Sequence, residues 1–207
     1  MREESQRIAG RLEGTLRIPD ATPIAIVVIA HPLPTHGGSM RNPLMAHLAR
    51  TAAQRGWYAL RFNFRGVGNS DGEWSGGRAE SADLADAVAH ARALAPRLPL
   101  AVVGFSFGAL MTLRWIEQGG RPDAFALLGL PLRTVRGDPH SELLPVPAGT
   151  VVINGELDTF GAAEEIREAY PQARVVAIPG SDHFFMGKRD EAAQAVMDHL
   201  ALALASP

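Results

Sequence analysis

Apolar runs of five to eight residues alternate along this chain with amphipathic stretches of helical period. Residues 24–30 are continuous, apolar and β-branched, as a strand buried on both faces requires. Similar runs at 57–64, 100–105, 124–130, 150–154 and 174–178 predict further strands. Between them, helical spacing predicts helices at 43–55, 79–95, 109–117, 161–169 and 189–204. The helix at 79–95 places Leu84, Ala87, Val88, Ala91 and Leu94 on one face, with Pro96 beyond its end. Weak alternation at 7–18, around Gly10 and Gly14, predicts a β-hairpin. Strands alternating with helices imply an α/β fold: a mostly parallel central sheet of about seven or eight strands, with helices on both faces. Residues 1–207 show neither repeats nor an interdomain linker and are expected to form a single domain.

Composition narrows the chemistry. The formal net charge is −2, so nothing argues for a nucleic-acid partner. Lys188 is the single lysine, and Gly187-Lys188-Arg189 lacks the glycine and hydroxyl residues of a P-loop. The absence of cysteine excludes disulfides, thiolate nucleophiles and cysteine-bound zinc. The charged start, Met1 to Arg7, does not read as a signal peptide, and the longest apolar run is too short to span a bilayer. A cytoplasmic protein without membrane association is expected, as monomer or homodimer.

The stretch with the most chemical content is Gly104-Phe-Ser-Phe-Gly108. It lies between the strand at 100–105 and the helix closed by Gly119-Gly120. G-x-S-x-G in that context is a nucleophile elbow. Ser106 must occupy a strained, tight turn to stand clear of the sheet, and side chains at 104 and 108 would collide with neighbouring backbone. The helix behind it aims its N-terminal amides at an oxyanion formed near Ser106.

A serine hydroxyl needs a base, and the base an orienting acid. Both are expected on loops beyond the C-terminal ends of later strands, where open α/β sheets gather functional groups. The strand at 174–178 runs into Pro179-Gly-Ser-Asp-His183, and His183 is the candidate base among seven histidines. His47, His90 and His199 fall within amphipathic helices, and His140 in a polar loop. His31 ends a strand, where a structural hydrogen bond is expected. His36 lies in the loop bordering the site and is a candidate substrate contact. Three carboxylates compete for the orienting role: Asp158 is best placed after its strand, with Glu156 and Asp182 as alternatives. For the oxyanion hole, one backbone N–H is expected from Phe107. The other should come from His31-Pro32-Leu33-Pro34, where Leu33 is the one donor among residues 32–34 because proline has none. Gly66-Val-Gly68-Asn-Ser-Asp-Gly72 departs from the dinucleotide fingerprint and is read as a turn with a structural Arg65. No cofactor or metal is called for.

These segments, together with Phe62-Asn-Phe-Arg-Gly-Val-Gly-Asn-Ser70, resemble the α/β-hydrolase superfamily in sequence order across nearly the whole chain. They look most like its small, capless bacterial carboxylesterase-like branch, distantly related to dienelactone hydrolases. The resemblance implies a triad of Ser106, Asp158 and His183. Dienelactone hydrolases use a cysteine nucleophile, which this chain lacks. About 20 residues, several of them proline, separate the strands at 124–130 and 150–154. A helical lid does not fit there. An open site is expected, lined by Phe105 or Phe107, Phe184, Phe185 and Met186. The expected activity is hydrolysis of small carboxylic esters through an acyl-enzyme. Thioesterase or amidase activity would use the same parts. A hydrolase fold that binds a small molecule without turnover, or a haloperoxidase-like or lyase activity, is a further alternative.

Overall fold

The chain opens with an antiparallel hairpin, β1 (Arg2–Ile8) and β2 (Leu12–Ile18), turned at Ala9 and Gly10 with φ of 48° and 69°. β1 starts five residues before the alternation suggests. It is an edge strand with mostly exposed, charged side chains, held by main-chain bonds to β2, so its sequence carries little apolar signal. The computed structural model describes residues 1–133 and 144–205, so His140 and Pro139 lie outside the described residues.

There follow β3 (Ala25–Ala30), a 3₁₀ turn (Pro34–His36), α1 (Pro43–Gln54), β4 (Trp57–Phe62), α2 (Glu80–Leu94) and β5 (Leu100–Phe105). α1 is started by Asn42, whose Oδ1 accepts the Leu44 N–H at 2.9 Å, and by Pro43 in the first turn. Then come α3 (Phe107–Glu117), β6 (Ala124–Leu128), β7 (Val151–Gly155), α4 (Ala163–Ala169), β8 (Arg174–Ile178) and α5 (Arg189–Ala205).

The strands form one eight-stranded sheet in the order β1-β2-β4-β3-β5-β6-β7-β8. β1–β2 and β2–β4 are antiparallel; every other pair is parallel. The continuous apolar runs follow from this layering. In β3, Ile26, Val28 and Ala30 join the core beneath α2 and α3, while Ala25, Val27 and Ile29 join the core beneath α1 and α5. Among the described residues, the connection from β6 to β7 contains no helix, in keeping with the expected lack of a cap.

Arg65 is held as a structural residue. Its guanidinium forks onto the buried Asp83 carboxylate at 2.6 and 2.9 Å, and its N–H donates to the same group at 3.0 Å. The glycine-rich segment after β4 is thereby tied to α2.

Candidate active site

Ser106 joins β5 to α3 at φ 53° and ψ −114°, a region L residues rarely occupy. Its neighbours account for the two glycines. A Cβ at Gly104 would lie 2.2 Å from the Gly108 carbonyl oxygen, and one at Gly108 2.3 Å from that of Ala30. The turn is therefore pressed against both its own helix and β3. The Ser106 N–H donates to the Leu128 carbonyl at 2.9 Å, fixing the elbow to β6.

Above it, the loop after β8 brings His183 within reach. His183 Nε2 lies 2.9 Å from Ser106 Oγ, and Nδ1 lies 2.7 Å from Asp158 Oδ2. The other Asp158 oxygen accepts the Phe160 N–H at 2.8 Å. A neutral His183 carrying its proton on Nδ1 satisfies both contacts, donating to Asp158 and accepting from the serine hydroxyl. The alternative carboxylates are occupied differently. Glu156 accepts the Gly180 N–H at 2.8 Å, and Asp182 accepts those of Phe184 and Met186 at 3.1 and 3.0 Å. Both shape loops rather than touch the imidazole.

Ser106 and His183 open onto a cavity of about 150 Å³, mostly apolar, walled by Pro32, Leu33, Phe107, Leu110, Pro131, Phe160 and Phe184. His36, Asn42 and Arg133 supply polar lining. Of the residues singled out in the sequence, Leu33, Phe107, His36 and Phe184 line this cavity. Phe105 and Phe185 do not line the cavity, which corrects the expectation for them. Phe105 is buried on the α1–α5 side of the sheet, its ring 5.4 Å from that of His183 and supporting it from behind. Phe185 has φ 52°, which turns its side chain inward to pack 6.2 Å from Phe105. Met186 is exposed and outside the lining.

Several contributors carry no motif. The Phe160 ring packs, tilted by 55°, at 4.7 Å from the His183 ring. It lies two residues past Asp158, a spacing that could have flagged it. Leu110 sits one helical turn after Ser106. Asn154 is fully buried near the end of β7. Its Oδ1 accepts the Leu130 N–H at 2.9 Å, and its Nδ2 donates to the Leu130 and Gly161 carbonyls at 3.0 and 2.8 Å. It clamps the β6 end to the Asp158 loop. A polar residue inside an otherwise apolar strand is the signal it offers. Arg133 pairs with Glu165, whose carboxyl is held down at about 2 by that guanidinium. Among the described residues, no three His, Asp or Glu side chains are grouped as metal ligands. No helix of the described residues is long and apolar enough to cross a membrane.

A serine, imidazole and carboxylate in register above a parallel sheet define a hydrolase class of site. The α/β-hydrolase domain family matches residues 23–206, and the chain belongs to that family. Its structure is similar to that of an α/β serine hydrolase without a lid from Xanthomonas campestris: TM-score 0.85, 27% identity, 100% of this chain and 97% of that one covered. An esterase from Pyrococcus furiosus shares the fold, with TM-score 0.75, 18% identity and coverage of 99% and 93%. An uncharacterized protein of Rickettsia prowazekii is 27% identical over 92% of this chain and 84% of its own length. The chain is an α/β hydrolase, and among its described residues no helix separates β6 from β7.

Proposed function

We propose that the protein is a carboxylesterase-type serine hydrolase acting on small carboxylic esters, with Ser106, His183 and Asp158 as its catalytic triad. The observation that carries this reading is the continuous hydrogen-bonded line from Asp158 through His183 to Ser106, opening on a small apolar cavity. Ser106 Oγ attacks the ester carbonyl carbon while its proton passes to His183 Nε2. The imidazolium formed is stabilised by the Asp158 carboxylate, which also fixes the proton on Nδ1. The tetrahedral oxyanion accepts hydrogen bonds from the backbone N–H groups of Leu33 and Phe107. Collapse breaks the bond to the leaving alcohol, which takes the proton from Nε2. Water then attacks the acyl-Ser106 ester, with His183 as base, and releases the acid.

Phe184, Phe160 and Leu110 favour a compact apolar acyl or alcohol group, and His36 contacts the polar end of the substrate. A panel of p-nitrophenyl esters, acyl thioesters and amides, run with a fluorophosphonate label, tests the reading. Wild-type protein is expected to be labelled at Ser106 and to turn over short esters fastest. Ser106→Ala should lose both, with a rate loss on the order of 10⁴–10⁶. An alanine variant keeping more than a few per cent of turnover would remove Ser106 as nucleophile. Faster thioester or amide turnover would reassign the substrate class.

A further inference from the structure

We infer that His31 is a positioning residue of the oxyanion hole: its imidazole sets the plane of the Pro32–Leu33 peptide so that the Leu33 N–H faces the reacting carbonyl. The inference rests on the proposed role of Leu33 as a donor.

In a trans peptide the C=O and the following N–H point in opposite directions within one plane. The structure contains no cis peptide bond among the described residues. Whatever holds the Pro32 carbonyl therefore also aims the Leu33 N–H. The holder is His31: its Nδ1–H donates to the Pro32 oxygen at 2.7 Å. The imidazole cannot swing away, because Nε2 accepts the Phe64 N–H at 3.1 Å and the ring meets the Phe64 ring edge-on at 4.8 Å. His31 is wholly buried, and burial pushes its pKa down to about 4. The ring is thus neutral near pH 7, with its one proton on the nitrogen that faces Pro32. Gly38 backs the same oxygen; a Cβ there would lie 2.1 Å from it, so a side chain would turn the peptide.

The loop's other bonds leave this donor uncommitted. Leu33 O accepts the N–H groups of His36 and Gly38 at 3.2 and 3.0 Å, and no hydrogen bond among the described residues engages Leu33 N–H. The proline on either side of Leu33 limits the backbone further. Phe64 carries the arrangement onward, since its ring packs at 5.4 Å on Phe107, the residue that supplies the second proposed donor.

Two substitutions at position 31 separate positioning from mere support. Asparagine keeps an amide donor near the place of Nδ1; glutamine keeps an acceptor near the place of Nε2 and loses the donor. Leu33 has φ −52°, which proline accepts, so Leu33→Pro deletes the N–H with little change of backbone. Leu33→Pro is expected to lower kcat by about 10²–10³-fold with KM little changed, as for loss of one oxyanion donor. His31→Gln should lower kcat by about 10²-fold, and His31→Asn by less than about tenfold. Added to Leu33→Pro, His31→Gln should cost less than about threefold more, because the group it orients is gone. Equal losses for Asn and Gln, or losses that multiply in the double variant, would overturn the inference while leaving Leu33 as donor. Wild-type turnover in Leu33→Pro would overturn the donor role itself, and the inference with it. Should His31→Gln not fold, the wild-type protein decides: the Leu33 amide proton should move downfield on phosphonylation of Ser106 with the His31 Nδ1 proton still observed, and an unmoved amide signal overturns the inference.

Discussion

The two walls of the site are built on different principles. The wall after β3, residues 31–42, is held through its backbone groups, which buried side chains fix in place. His31 holds Pro32, and Asn63 accepts the Met40 N–H at 2.8 Å while Arg61 donates to the Met40 carbonyl at 3.0 Å. Glu13 anchors Asn63 from β2; burial works against its charge, but hydrogen bonds from Asn69 and Asn63 and the nearby Arg41 prevail and lower its pKa. The opposite wall, after β7 and β8, offers side chains and uses backbone and aromatic packing to aim them. Asp158 is set by the Phe160 N–H, and the His183 ring lies among Phe105, Phe160 and Phe184. On the proposed function, a substitution at Asp158 or His183 of the second wall removes a reacting group directly, whereas one on the first wall acts through geometry and should be milder.

The sharpest test of that contrast is on the second wall. Asp158→Asn should cut turnover by roughly 10⁴, because the amide favours the wrong imidazole tautomer. Asp182→Asn should cost far less, since Asp182 only braces the loop. A reversed ranking in steady-state kinetics would reassign the acid.

On the first wall, the buried His31 makes stability depend on pH. Its pKa falls from 6.5 to about 4 on folding, so between those values the unfolded chain binds a proton that the folded one does not. The contribution is whole above pH 6.5 and is lost as pH falls towards 4, by about 3 kcal/mol in all. Urea unfolding at pH 7 and pH 4.5 should show wild type losing about 2–3 kcal/mol more than His31→Asn. Parallel losses in the two proteins would refute this linkage.

Asn154 ties the two strand ends that carry the second wall. Asn154→Ala strands the buried Leu130 N–H and the Leu130 and Gly161 carbonyls, and should lower unfolding free energy by about 1–3 kcal/mol. Unchanged chemical denaturation would show that the clamp is dispensable. The smallest effect lies between the walls. Each acyl methylene still buried gains about 0.8 kcal/mol, so kcat/KM should rise over the first few carbons and then level or fall. No jump is expected above the substrate's solubility limit, because among the described residues no helix stands between β6 and β7 to move. A steady climb to long chains would show that the cavity extends further than its present walls.

Much of the molecule was legible from local pattern. The apolar runs marked the six strands β3 to β8, weak alternation marked β2 and the end of β1, and the order of strands and helices implied the parallel sheet. The elbow was readable from its short motif between strand and helix, although only Gly104 meets backbone nearby in sequence; the backbone that Gly108 meets is that of Ala30 on β3. The loops after β7 and β8 were readable as places where functional side chains gather, and there Asp158 and His183 meet.

What sequence could not decide was direction and long-range anchoring. Apolar character at Phe105, Phe107, Phe184 and Phe185 says that each is buried somewhere, not which side of the sheet receives it. The fold sends Phe105 behind the imidazole and Phe185 onto Phe105 in the core, and leaves Phe107 and Phe184 at the cavity. Likewise Asn154, Asn63 and His31 each satisfy backbone groups brought close only by folding, 24, 23 and 33 residues away in sequence. Periodicity and short motifs are properties of neighbouring residues, so the chain alone determined its elements and its reactive groups. The aim of those groups depends on which distant backbone they pack against, and that was settled only when the sheet closed.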